Sequence, residues 1–236
     1  MKKLLLILII AMICLAGCFK KRMNYCRILE TNGREEYVGR YSISEKEAKS
    51  INCYHFVYND KKQLVAIEYL KSNKLADNMN GVAKIIFVYE NGFEKRVYQN
   101  SKGKATKNEY GVYSFRIKYD ENKNPVSRYN YDKFGNLTKD NEGVAQYLWT
   151  ADEKGRRIKS YRLDEEGNRI TDNSGIFEYR WKYDKEGKAI ETSSHGKDSQ
   201  LLGNNEGIAI RKMQYDNTGN IIELKTYGTD EQLKGD

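Results

Sequence analysis

Histidine and cysteine are too scarce here to build most kinds of catalytic or metal site. Two histidines, His55 and His195, and four cysteines are spread over 236 residues, and they form no His/Cys cluster at metal-ligand spacing. Neither histidine accompanies a recognisable nucleophile motif, so no catalytic activity is expected. Acidic pairs such as Glu165-Glu166 fall at turns, where solvated charge is the ordinary role. The chain has no long basic run and no nucleic-acid-binding motif, which removes nucleic acid as an expected partner. Nothing implies a small-molecule cofactor. Proline occurs once, so glycine supplies nearly all the punctuation.

Tyrosine is what the chain has in quantity: 19, against 7 phenylalanines and 2 tryptophans, alongside 19 glycines. A charged fraction of 31% with modest hydrophobicity would suit disorder, but disordered chains are poor in aromatics. Aromatics, glycines and a single proline instead suit short strands joined by turns.

The sequence repeats every 32 positions. Ile117, Trp149, Trp181 and Met213 fall in register, as do Asp120, Asp152, Asp184 and Asp216, and Gly111, Gly143, Gly175 and Gly207. Val126, Ile158, Ile190 and Ile222 make a fourth column. Units run approximately 56–86, 87–116, 117–148, 149–180, 181–212 and 213–236. After each repeat glycine comes an alternating strand: Phe177, Tyr179, Trp181 and Tyr183 interleave with charged residues at the period of two of a half-buried strand. Asp-x-x-Gly closes it, a second strand follows, and a second turn leads to a short third segment containing Leu137, Ile170 or Leu202. Each unit therefore reads as about three antiparallel strands. Asn91-Gly92 replaces a longer turn in the second unit and shortens it by two residues, which keeps every side chain on its own face. One such unit is too small to offset its own ordering entropy, so the units share faces and ladders.

These patterns predict an all-β fold: an elongated antiparallel β-repeat solenoid or rolled sheet with a short N-terminal capping helix. Ser44-Glu45-Lys46-Glu47 is a capping box for that helix, which is expected to run to about Ile51. The expected segments are 1–17, a signal peptide; 18–41, a tether merging into a first extended segment; 42–55, the capping helix and entry strand; and 56–236, the tandem repeats.

Met1-Lys2-Lys3 precedes an apolar run, Leu4 to Ala16, too short to span a bilayer comfortably, and reads as an export signal. It ends in Leu15-Ala16-Gly17-Cys18, which resembles the lipobox of bacterial lipoproteins. The resemblance implies cleavage before Cys18, acylation of that cysteine (palmitate among the chains) and a body held at the bacterial cell envelope. Loss of Lys2 and Lys3 lowers the net charge from +8 to +6. Lys20-Lys21-Arg22 would lie near the anionic head groups or in a solvated linker. Whether the anchor is in the inner or outer membrane stays open. Cys26 and Cys53 remain, either as a disulfide in an oxidising compartment or as two free thiols.

Tyr131-Asp132-Lys133-Phe134-Gly135-Asn136-Leu137 and Tyr215-Asp216-Asn217-Thr218-Gly219-Asn220-Ile221 resemble the Tyr-Asp repeats of bacterial surface and toxin-shell proteins. The array is also similar to MORN-variant hairpin repeats. The resemblance implies a β-hairpin scaffold and no particular activity.

Three surfaces are candidates for contact. The alternating rings read first as core and second as a glycan-stacking platform. Tyr129, Tyr161 and Tyr227, of opposite parity to the second-strand isoleucines, form a candidate aromatic contact row or a minor second core. Lys84, Arg116, Lys118, Arg180, Lys182 and Lys212 line the polar side of the first strands, either as a plain solvated face or as a stripe for an anionic envelope polymer, phospholipid or acidic protein. The expectation is a lipid-anchored envelope binding or scaffold protein, membrane-bound through its lipid. The alternatives are a peptidoglycan- or glycan-binding module and an inhibitor or immunity protein for a secreted toxin.

Overall fold

The computed structural model describes residues 24–235; the signal segment, Cys18 and Lys20-Lys21-Arg22 lie outside the described residues. Alternation and turns put the chain into strands throughout. In order these are β1 (Tyr25–Thr31), β2 (Tyr37–Ser42), the helix α1 (Glu45–Ala48), β3 (Cys53–Tyr58), β4 (Leu64–Lys71), β5 (Lys74–Leu75), β6 (Lys84–Glu90), β7 (Phe93–Gln99) and β8 (Ser114–Tyr119). There follow β9 (Pro125–Tyr131), β10 (Gln146–Ala151), β11 (Arg157–Leu163), β12 (Glu178–Tyr183), β13 (Ala189–His195), β14 (Ile210–Tyr215), β15 (Ile221–Tyr227) and β16 (Leu233–Gly235).

All sixteen join one antiparallel sheet, which does not close into a barrel. From β6 to β16 each strand lies beside its sequence neighbour. The all-β repeat reading holds. The count of three strands per unit holds only in the first and last, where the third segment is β5 or β16; in the four between, it makes a single bridge pair, as in Tyr131↔Leu137 and Leu163↔Arg169. Pinned between two tight turns, it has no length for a ladder.

The turns show why the columns keep their spacing. Asp120, Asp152 and Asp216 each accept backbone N–H bonds from the residues two and four further on. Asn108, Asp140, Asp172 and Asn204 do the same at the turn before each inward strand. Successive turns are also stitched together: Asn141 Nδ2 donates to Glu109 O at 3.1 Å, and Asn173 Nδ2 to Asn141 O at 2.8 Å. Gly111 is fixed twice over, by φ +82° and by Asn141 Oδ1, which a Cβ there would meet at 2.2 Å. The shortened unit uses positive φ at both Asn91 (51°) and Gly92 (77°), and its strands pair from Lys84↔Gln99 to Glu90↔Phe93 without a bulge. The longer turns carry one, as between Lys118 and Tyr119.

The ring-bearing face is the core. Ile85, Phe87, Phe115, Ile117, Tyr147 and Trp149 are buried in one cluster with Phe56, Ile67 and Tyr98. Beyond Trp149 the seam opens: Phe177 is buried, but Tyr179, Trp181 and Tyr183 are half-buried. Ile190 and Ile222 on the same face are 38% and 65% exposed.

The cover over the first units comes from the segment expected to be a tether and a first extended strand. It is a hairpin. β1 pairs with β3 at only two positions, Tyr25↔His55 and Cys26↔Tyr54. The β1–β2 hairpin then crosses the ring face: Tyr37 meets the edge of Phe87 at 6.0 Å, and its tip reaches Asn124, Arg128 and Arg157. Its charged tip gave no period by which the sequence alone would have placed it.

Helix α1 has the expected capping box, with Ser44 Oγ accepting from Glu47 N–H and Glu47 Oε2 from Ser44 N–H. It ends at Ala48 rather than Ile51, and Ala48, Cys53 and Leu70 form a small cluster. Cys26 and Cys53 are buried free thiols, so the disulfide reading is corrected. Cys26 is opposite Tyr54, so the pleat turns Cys53, one residue earlier, to the other face. Burial pushes the Cys26 thiol up to about 11.

Replacing Ile117, fully buried, with alanine is expected to cost about 2–5 kcal/mol in urea unfolding. The same change at the exposed Ile222 should stay within about 0.5 kcal/mol. The turn aspartates add a pH signature. Backbone hydrogen bonds from Asn124 and Asn136 lower Asp120 and Asp132, while side-chain bonds from Arg156, Asn168 and Thr218 lead for Asp152, Asp164 and Asp216. Folded values below the unfolded one of about 3.9 mean that their contribution is complete above it and is lost as pH falls through the folded values. Urea midpoints should therefore drop on acidification from pH 5 to 2, and Asp152→Asn should flatten part of that drop.

Candidate functional site

The opening of the seam makes a cleft of 520 Å³ on the ring face, beside the hairpin tip. Its rings come from inward strands: Tyr147 and Trp149 on β10, Tyr179 and Trp181 on β12. Its arginines come from return strands: Arg128 on β9, Arg157 and Arg162 on β11.

Guanidinium groups and rings alternate along the repeat axis. Arg128 lies 5.0 Å from the Tyr110 ring centre and 4.3 Å from that of Tyr147; Arg162 lies 5.9 Å from Tyr147 and 4.2 Å from Tyr179. Arg157 stacks over Trp149 at 4.1 Å. The counter-charges are turn residues. Asp140 Oδ2 accepts from Tyr147 Oη at 2.7 Å, Asn130 Nδ2 at 3.2 Å and Arg128 Nη2 at 3.4 Å. Asp172 Oδ2 accepts from Tyr179 Oη at 3.2 Å. Arg162 Nε is 3.0 Å from the same oxygen but is not aligned to donate to it. Glu35, at the hairpin tip, is 2.9 Å from Arg157 and 3.8 Å from Arg128. Burial first, with Asp172 second, pushes the Tyr179 phenol up to about 12, so it stays a donor at neutral pH.

The arginine side chains are deeply placed, Arg128 at 7% and Arg162 at 8% exposure. Arg128 Nε, Arg157 Nε and Arg162 Nη1 have no hydrogen-bond partner among the described residues. Charge in the lining is nevertheless balanced, with Glu35, Glu142 and Asp172 against the three arginines.

No cofactor set emerges, and the described residues contain no group of three or more His, Cys, Asp or Glu placed to hold a metal. His195 is buried, with Nε2 2.9 Å from Ser193 Oγ and Nδ1 3.0 Å from Ser199 O. His55 sits 3.3 Å from Glu68.

The basic residues singled out from sequence lie on the opposite face, and acidic neighbours interrupt them. Lys84 pairs with Glu68 at 2.8 Å, Lys182 with Glu191 at 2.7 Å, and Arg180 with Glu178. Arg116 stacks over Phe93 at 5.6 Å and Lys212 over Tyr227 at 4.9 Å, while Lys118 is exposed. Tyr129, Tyr161 and Tyr227 are half-buried on this face too: Tyr129 meets Phe93 at 6.2 Å and Tyr161 carries Arg169 at 3.6 Å.

Sequence reasoning missed Arg128, Arg157, Arg162 and Glu35. The signal for Arg157 and Arg162 was departure from their columns, whereas Arg128 shares its column with Arg96. Position 96 of the repeat reads Arg96, Arg128, Ser160, Thr192, and the turn position reads Asn108, Asp140, Asp172, Asn204. In this turn column the two carboxylates, Asp140 and Asp172, lie beside Arg128 and Arg162, whereas Arg96, followed by Asn108, pairs with Glu94.

No known protein family matches the sequence, and no curated protein does. Among solved structures, a chain in "Crystal Structure of TcdB2-TccC3-Cdc42" is similar at 11% identity and a TM-score of 0.18, over 90% of this chain and 14% of that one. This chain thus spans about one-seventh of that chain's length, and a likeness so slight carries nothing about activity.

Removing Asp140's charge tests the stack. Asp140→Asn keeps the turn acceptor but leaves Arg128 short of a counter-ion, and should cost about 3–5 kcal/mol in urea unfolding. Adding Arg128→Met should recover much of that loss.

Proposed function

We propose that the chain is a lipid-anchored binding or scaffold protein of the bacterial cell envelope, without catalysis of its own. The observation that supports this most is the cleft: rings and arginines held on one face of a repeat sheet, partly open to solvent, with no nucleophile and base arranged together among the described residues that line it. The lipobox-like Leu15-Ala16-Gly17-Cys18 supports the anchor, and two or more acyl chains suffice for stable attachment.

The partner is an envelope polymer or envelope protein. An anionic polymer is the weaker version, because Glu68, Glu178 and Glu191 neutralise three of the six basic residues of the stripe on the far face. A glycan is favoured instead by the ring-lined cleft, which replaces the tyrosine row as the platform.

Two measurements check the reading. Cys18→Ser should move the protein from the membrane to the soluble fraction; continued detergent-dependent fractionation removes the anchor. The full chain should be retained on purified cell wall or with one stoichiometric envelope protein. Retention by neither removes the binding role.

A further inference from the structure

Trp181 is set up differently from every other large ring in the cleft. Trp149, one unit earlier, is covered by Arg157. The residue 32 positions after Arg157 is Ala189, which stands opposite Tyr183 just as Arg157 stands opposite Ala151. Among the described residues no cation lies over Trp181, and the indole is half-buried in the cleft wall. The residue directly across the strand pair also changes: Phe87 faces Arg96 and Ile117 faces Arg128, but Trp149 faces Ser160 and Trp181 faces Thr192. With Thr192 across from it and Ala189 where the preceding unit has Arg157, the half-buried indole has no covering guanidinium beside the open cleft.

Around that face the polar groups are mixed. Asn141, Glu142, Asp172, Asn173 and Ser174 line the cleft with the arginines. Lining charges cancel, which gives no preference for a charged ligand. The neutral side chains of Asn141, Asn173 and Ser174 offer both donors and acceptors, so the lining is matched by a ligand rich in hydroxyls. A bare planar ring pairs with the apolar C–H face of a ligand, and the rim with its hydroxyl and ring oxygens.

From this we infer that the cleft is a saccharide subsite for an uncharged sugar chain, with one ring stacked on Trp181. Resting on the envelope-binding reading, this names the ligand class and the residue that seats it. Ala189 is the specificity-determining position, because its small side chain leaves the indole uncovered.

The only two tryptophans in the chain, Trp149 and Trp181, both line the cleft, so intrinsic fluorescence reads it directly. The full chain in detergent is titrated with chitotriose, cellotriose and a trigalacturonate. At least one neutral trisaccharide should give a saturable emission change, and the anionic one should bind no tighter. Ala189→Arg copies onto Trp181 the cover that Arg157 gives Trp149 while keeping both tryptophans, and should weaken binding at least tenfold; Trp181→Ala should do the same by calorimetry. Tyr161→Ala, on the far face, should leave affinity unchanged, and matching urea midpoints show that each variant folds. The inference is overturned if neither neutral sugar saturates at millimolar concentration, if Ala189→Arg binds as the parent does, or if trigalacturonate binds tenfold tighter than both. Envelope retention that persists alongside any of these results leaves the binding role standing and removes only the saccharide subsite.

Discussion

Everything in this molecule depends on the parity of the pleat being carried unchanged from one unit to the next. A slip by one residue would send the rings to solvent and the lysines inward. The turn aspartates and asparagines hold that parity: each ties two backbone N–H groups, and the asparagine bonds between successive turns repeat at the same interval. The two-residue Asn91-Gly92 turn shows the rule from the other side, since it drops residues in a pair and leaves the faces intact.

Much of the fold was legible because it is periodic. Strand alternation, the Asp-x-x-Gly turns and the glycine at each unit's start are all visible as columns. The third segment was overread, because a hydrophobic residue between two turns looks like a strand until its length is weighed. Cys26 and Cys53 looked like a pair by count alone, and strand register then placed them on opposite faces.

The site was illegible for a related reason. Columns were sought for sameness, whereas Arg157, Arg162 and Ser160 matter as exceptions to their columns. Asp140 and Asp172 look like ordinary turn residues until the arginines they neutralise are set beside them. Glu35 could not be found at all from sequence, since no periodicity relates it to Arg157, its partner at 2.9 Å.

That last contact is also among the most distant in sequence. From β6 onward each strand finds its partner next door in the chain, and loop-closure entropy for such neighbours is small. The hairpin tip must instead wait until β9 and β11 exist, because Arg128 and Arg157 are its landing points. Docking the tip on Arg157 therefore closes a span of 122 residues, against the few that separate neighbouring strands.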